Sequence, residues 1–131
     1  MEYNTYTASF LTNACFTDFH TMFYNNGKKR IPIEYLDELY TSFALAIHYM
    51  DDGSCIKKSN SNSYDISIAT CSFSIDDLNQ LVYFLKKKFN LEFTIQNSSN
   101  RIRLKSKDIP TFINLIRPYV PECMLYKINV S

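Results

Sequence analysis

Up to Gly53 the apolar positions of the chain recur at helical spacing, and from Ser54 onward the period shortens from 3.6 to 2. Thr41 is placed to cap a helix over Ser42–Asp52 that carries the run LAIHYMDDG, residues 45–53. Beyond it, residues 54–58 and 64–70, split by a Ser/Asn run at 59–63, predict a hairpin with Ile66 and Ile68 on one face and Asp65 and Ser67 on the other. A second hairpin alternates Leu91, Phe93 and Ile95 with Glu92, Thr94 and Gln96. After residues 97–100 it alternates Ile102 and Leu104 with Arg101, Arg103 and Lys105. Between the hairpins Ser74 caps a helix with Asp76 and Asp77 in its first turn and Lys86, Lys87 and Lys88 in its last, charges that complement the macrodipole; Leu78, Leu81, Val82, Leu85 and Phe89 form its buried stripe. Pro110 opens a last helix with Phe112, Ile113 and Ile116 toward the core, and Pro118 and Pro121 end it.

The front of the chain predicts a short strand over residues 6–12 and a helix from an Asn13 cap to about Tyr24, with Phe16, Phe19, Met22 and Phe23 on a core-facing side. His20 lies beside that face as a structural or surface residue. Asn25, Asn26 and Gly27 break this helix, and Pro32 begins a short helix through Tyr40 with Glu34 early in it. The order helix, hairpin, helix, hairpin, helix gives an α+β domain with helices on one face of an antiparallel sheet.

At 131 residues the chain is sized for one domain, and 46% apolar with 15% aromatic residues excludes a disordered class. The formal charge of +1 hides an asymmetry: residues 1–52 carry three Lys or Arg against seven Asp or Glu, residues 53–131 eleven against six. The second part is the polyanion-facing one. Cys15, Cys55, Cys71 and Cys123 have neither zinc-ligand nor disulfide-framework spacing and are expected as reduced, mostly buried thiols. There is no legible import signal and no apolar run of membrane-spanning length, so no membrane partner is expected. Abundant Asn, Lys, Ile, Tyr and Phe suit translation from an AT-rich gene.

Candidate chemistry gathers where the period switches. Carboxylates at a helix C-terminus oppose the macrodipole, so Asp51 and Asp52 do not serve helix stability there. Two readings are open: a turn with Gly53 left-handed, or a carboxylate at a helix tip for Mg²⁺, a hard cation that leaves positions for water and phosphate. The polar sheet face, offering Lys57, Lys58, Gln96, Arg101, Arg103 and Lys105, is either the wet side of the sheet or a β-ribbon that lies along a nucleic-acid groove. Lys28, Lys29 and Arg30 read as a solvated linker.

LAIHYMDDGS, preceded by IPIEYLDELYTSFA and followed by IRPYVPECMLYKI, resembles the LAGLIDADG homing endonucleases, in particular the second half of their single-chain members. The likeness runs from the Ile31–Pro32 entry through both hairpins to the Met-Leu-Tyr-Lys signal, about residues 28–128. Ile47, His48 and Tyr49 depart from the small or aliphatic members of the nominal motif. The resemblance implies a LAGLIDADG homing-endonuclease-like fold, a four-stranded antiparallel saddle on duplex DNA, and a single domain over 31–131. It makes 1–30 a remnant of the last strand, last helix and linker of a preceding half, so that the chain begins inside a larger ancestor. It also implies Asp52 as the Mg²⁺ ligand with Asp51 as helper, Lys29 and Lys127 as phosphate-supporting cations, and Ala44 and Ala46 as small residues admitting a second motif helix. That helix comes from a homodimer or a separate chain, because one motif brings one aspartate. The alternative is an inactive RNA-binding relic in a ribonucleoprotein, an intron maturase or an organellar ribosome subunit. Either way the resemblance and composition together imply an organellar, mitochondrial matrix protein.

Overall fold

Helix α3 (Ser42–Asp52) runs without a loop into a strand, and the domain is built around that junction. The computed structural model describes residues 6–9 and 15–128. Helix α1 (Cys15–Phe23), the short strands β1 (Tyr24–Asn25) and β2 (Lys28–Lys29), and helix α2 (Ile33–Leu39) precede α3. Strands β3 (Gly53–Lys57) and β4 (Tyr64–Ala69), helix α4 (Ile75–Phe89), strands β5 (Phe93–Gln96) and β6 (Arg101–Leu104), and helix α5 (Ile109–Ile116) follow it. The short 3-10 segments Arg117–Tyr119 and Glu122–Lys127 come last.

The four long strands form one antiparallel sheet in the order β3-β4-β6-β5. Alternation decides its two faces. Ile66, Ile68, Ile102, Leu104 and Phe93 are buried under the helices, where they join Leu45, Ala46 and Tyr49 of α3, Leu78, Leu81 and Leu85 of α4, and Phe112, Ile113 and Ile116 of α5. Full burial of each such Leu or Ile stabilises by about 1.5–3 kcal/mol, which is why one sheet face fixes the register. Caps fix the helix starts: Thr41 Oγ1 accepts from the Ala44 N–H at 3.3 Å, and Ser74 Oγ from the Asp77 N–H at 3.1 Å. Helix α4 ends on Asn90, which adopts the left-handed conformation (φ 56°). The expected stripe of α4 holds, with Val82 and Phe89 only partly buried.

Several expectations change. Gly53 is not left-handed: at φ −88° and ψ 156° it is the first extended residue of β3. It is glycine for another reason, since a Cβ built there would collide with Cδ2, Cε2 and the carbonyl oxygen of Tyr49. Ala46 is fully buried in this chain's own core and does not admit a second helix; Phe43 (54% exposed) and Ile47 (47%) occupy the outward side of α3 instead. Asn26 and Gly27, both at positive φ (50° and 75°), form the turn of a tight hairpin between β1 and β2. The expected linker at Lys28 and Lys29 is thus a strand. Tyr6 and its described neighbours, residues 6–9, take no regular conformation, while the rest of the expected strand and the Asn13 cap lie outside the described residues. The side chains of Phe16 and Phe19 lie outside them too, and Phe23, expected toward the core, is exposed. His20 is a surface residue stacked on Tyr24 with ring centroids 4.7 Å apart. Cys71 and Cys123 are exposed rather than buried, the first in the turn after β4 and the second on the outer side of the short 3-10 segment Glu122–Lys127; Cys55 is half-buried, and all three are free thiols. Among the described residues no helix is long and apolar enough to cross a membrane.

The junction generates a test. Gly53→Ala is expected to lower unfolding free energy in urea by about 1–3 kcal/mol, because the added methyl overpacks against Tyr49 and its carbonyl cannot swing aside as a side chain would. Unchanged stability would show that the close approach of Gly53 to Tyr49 is not a constraint.

Candidate nucleic-acid interface and carboxylate centre

The C-terminal turn of α3 projects Asp51 and Asp52 into solvent at the margin where the polar sheet face begins with Ser54; the Asp52 side chain is 50% exposed. A cation answers the helix dipole there. Lys127 Nζ donates to the Met50 carbonyl at 2.5 Å and the Gly53 carbonyl at 3.1 Å, while its own carbonyl accepts from the Tyr49 hydroxyl at 2.6 Å. The last 3-10 segment is thereby clamped to the end of the motif helix. Burial raises the Tyr49 phenol well above its ordinary value, so it remains a donor.

His48 sits one turn before Asp52. Its Nδ1 pairs with the Tyr40 hydroxyl at 2.7 Å, and its Nε2 faces Asp52 Oδ2 at 3.9 Å. Burial depresses the His48 pKa; Asp52 and Asp51 oppose that shift and Lys29 reinforces it. Lys29, Asp51, Asp52 and His48 therefore share one electrostatic neighbourhood. Lys29 reaches it from β2, with its ammonium 5.2 Å from the Phe73 ring centroid. Arg30 holds that hairpin in place: its N–H donates to the Phe23 carbonyl at 2.7 Å, its Nε to the Met22 carbonyl at 3.0 Å, and its guanidinium pairs with Glu34 at 2.5 Å.

The polar face of the sheet carries Ser54 and Ile56 from β3, Asp65 and Ser67 from β4, Arg101 and Arg103 from β6, and Thr94 and Gln96 from β5. Its cations are internally engaged. Arg103 Nε donates to Asp65 Oδ1 at 2.6 Å, and Arg101 Nη2 to the Ser54 and Ser67 hydroxyls at 3.3 and 3.1 Å. Lys105, just past β6, meets Glu92 at 3.3 Å; Lys107 from the following turn and Lys86 from α4 reach the same carboxylate at 2.7 and 3.5 Å, and the Lys107 and Lys105 contacts hold the Glu92 carboxyl at about 2. Lys57 does not belong to this face: it pairs with Tyr64 and has the parity of Cys55 and Ile66, because adjacent residues of one strand point to opposite sides. Lys58 lies past the strand, in the 58–63 turn closed by its N–H to the Ser63 carbonyl. Ile56, 62% exposed on the edge strand β3 beside Asp65, is an apolar residue on this polar face that alternation with Cys55 could have flagged.

Among the described residues no group of three or more His, Cys, Asp or Glu forms a metal site. Asp51 and Asp52 supply two carboxylates only, a donor set that suits Mg²⁺ completed by waters, phosphate oxygens and a second motif.

Comparison with known proteins adds the following. The profile of the LAGLIDADG DNA endonuclease family matches residues 1–112. The cytochrome b mRNA maturase bI2 of Debaryomyces hansenii is 30% identical over 118 residues, covering 87% of this chain and 42% of the maturase. The intron-encoded endonuclease ai4 of Dictyostelium discoideum is 30% identical over 116 residues, 86% of this chain and 69% of that protein. The homing endonuclease I-WcaI bound to its DNA recognition sequence superposes with a TM-score of 0.77 at 27% identity, covering 88% of this chain and 53% of that one. The chain thus spans about half the length of the solved relative.

Lys127 is expected to be structural as well as near the carboxylates. Lys127→Met, which keeps the stem and removes the donors, should cost about 1–3 kcal/mol of stability in urea denaturation because two carbonyls at a helix end lose a charged partner. A variant as stable as the parent would contradict the clamp.

Proposed function

The chain belongs to the LAGLIDADG DNA endonuclease family, and from that premise we propose that it is one half of a site-specific double-stranded DNA endonuclease, hydrolysing phosphodiesters when a second motif helix is brought beside α3. The observation that carries this reading is the delivery of Asp51 and Asp52, exposed, to the edge of a polar sheet face that bears Arg101 and Arg103. Asp52 would hold Mg²⁺ with Asp51 beside it; when bound, the ion supplies positive charge at the scissile phosphate and acidifies a water. Lys29 and Lys127 lend positive charge to the same neighbourhood, which favours the charge that develops on the phosphate.

The sheet face supplies the grip. Arg101, Arg103, Lys105 and Gln96 line the strands that would follow a groove, with the arginines suited to base edges and the lysine to phosphates. The outward Phe43 and Ile47 of α3 are the surface against which a second motif packs, from an identical copy or a separate chain. A second reading is favoured by relatives described as cytochrome b mRNA maturases: the same domain would act on intron RNA, with Asp52 unused. Relatives described as intron-encoded, together with a residue composition that suits an AT-rich gene, also support an organellar gene of origin.

Two outcomes are expected. Replacement of Arg101, Arg103 and Lys105 together by Ala should weaken duplex binding and lower the slope of log K against log salt by about 0.9 per lost phosphate contact, read by fluorescence anisotropy across a salt series. An unchanged slope would remove these residues from the interface, and tighter binding to intron RNA than to duplex DNA would favour the maturase reading. In the paired assembly, Asp52→Asn should abolish Mg²⁺-dependent cleavage while leaving duplex affinity within about twofold; cleavage at the parent rate would refute the metal role.

A further inference from the structure

We propose that His48, which stands where the family motif has an aliphatic residue, is a positioning residue for Asp52: fixed by Tyr40 on one ring nitrogen, it presents the other as an N–H donor to the Asp52 carboxylate. The proposal rests on the reading of Asp52 as a cation ligand and adds to it a partner on this chain that sets the carboxylate's rotamer.

Tyr40 is the anchor. Its ring is boxed edge-on by Phe84 at 5.9 Å and tilted against Phe89 at 6.5 Å, so its hydroxyl has a fixed direction. Burial raises the phenol pKa, which keeps it a donor. The hydroxyl meets His48 Nδ1 at 2.7 Å. The tautomer follows from the two contacts taken together. With Nδ1 protonated, the Nε2 lone pair would face the lone pairs of Asp52 Oδ2 at 3.9 Å, a repulsive arrangement; with Nε2 protonated, Tyr40 donates to Nδ1 and Nε2–H points toward the carboxylate. A small rotation of the half-exposed Asp52 side chain closes 3.9 Å to a hydrogen bond. A ligand carboxylate held by such an outer partner loses less rotamer freedom when it takes up a cation, and partners of this kind change metal affinity by about 10–100-fold. An aliphatic residue at 48 would leave Asp52 without that donor.

The test is nuclear magnetic resonance on the whole labelled chain. Long-range nitrogen–proton spectra should show His48 as the Nε2–H tautomer, and Asp52→Asn should move the Nε2 resonance while Nδ1 stays. His48→Leu should leave the Asp52 side chain averaged over rotamers and weaken the Mg²⁺-induced shift of its carboxyl carbon about tenfold in midpoint. His48→Gln, whose side-chain N–H reaches the place of Nε2, should restore a single rotamer. The Nδ1–H tautomer, an Nε2 resonance indifferent to Asp52→Asn, or an unchanged Asp52 rotamer in His48→Leu would each overturn the proposal. If Mg²⁺ moves no Asp52 resonance in the parent chain, the cation-ligand reading fails, and with it the metal half of the proposal, while the tautomer and rotamer results still decide whether His48 orients the carboxylate.

Discussion

The structure depends on how tightly α3 is tied down at its last turn. Tyr49 is wholly buried, its ring edge-on to Phe112 at 5.0 Å and its hydroxyl bound to the Lys127 carbonyl, and the chain passes so close over it that position 53 can carry no side chain. Lys127 then satisfies carbonyls that the helix end would otherwise leave open. A pair of aspartates at the negative end of a helix dipole is an unfavourable arrangement. Here it is offset by a cation brought from a segment far along the chain, so the carboxylates are held out to solvent on a rigid support. The same clamp joins the C-terminal segment to the start of the sheet through the Gly53 carbonyl.

The cations on and beside the polar face of the sheet are held by partners on the same chain. Arg103 is matched by Asp65, and three lysines share Glu92. Exposed pairs of this sort are weak in water, so exchanging a carboxylate for a phosphate would cost little, and the paired state orders long side chains beforehand. The formal charge of the whole chain is only +1. The charge is local and arranged by register, whereas net charge reports only its sum.

Much of the fold was legible because burial on one side enforces alternation. Ile66 with Ile68, Ile102 with Leu104, and the Ser74 and Thr41 caps are local signals that tertiary packing had no reason to override. What escaped was set by contacts distant in sequence. Gly53 looked like a turn glycine, but its role is decided by a tyrosine four residues back and by the direction in which the strand leaves. Ala46 looked available for a helix partner, and the rotation of α3 on its own sheet buried it. The hairpin at Asn26 and Gly27 carried a recognisable Asn-Gly signature that its two-residue strands were too short to support by alternation. Within the site, Asp51, Asp52, Lys29 and Lys127 could be singled out by resemblance. Tyr40 could not, since its contact with His48 spans the break between two helices and has no periodic trace.

The exposed side of α3 sets a condition on any second motif. Helices pack at 8–10 Å according to the side chains between them. On this chain those side chains are Phe43 and Ile47, the first leaning on Tyr119 with ring centroids 5.4 Å apart, beside the half-buried Ala44, while Ala46 is turned inward. Covering them favours association, because each large apolar side chain removed from water contributes about 1.5–3 kcal/mol. The same bulk holds the helix axes apart, and the aspartates at their ends with them. An identical copy doubles that bulk across a twofold axis. A separate chain offering small residues opposite Phe43 and Ile47 would let the two helix axes approach more closely than self-association would.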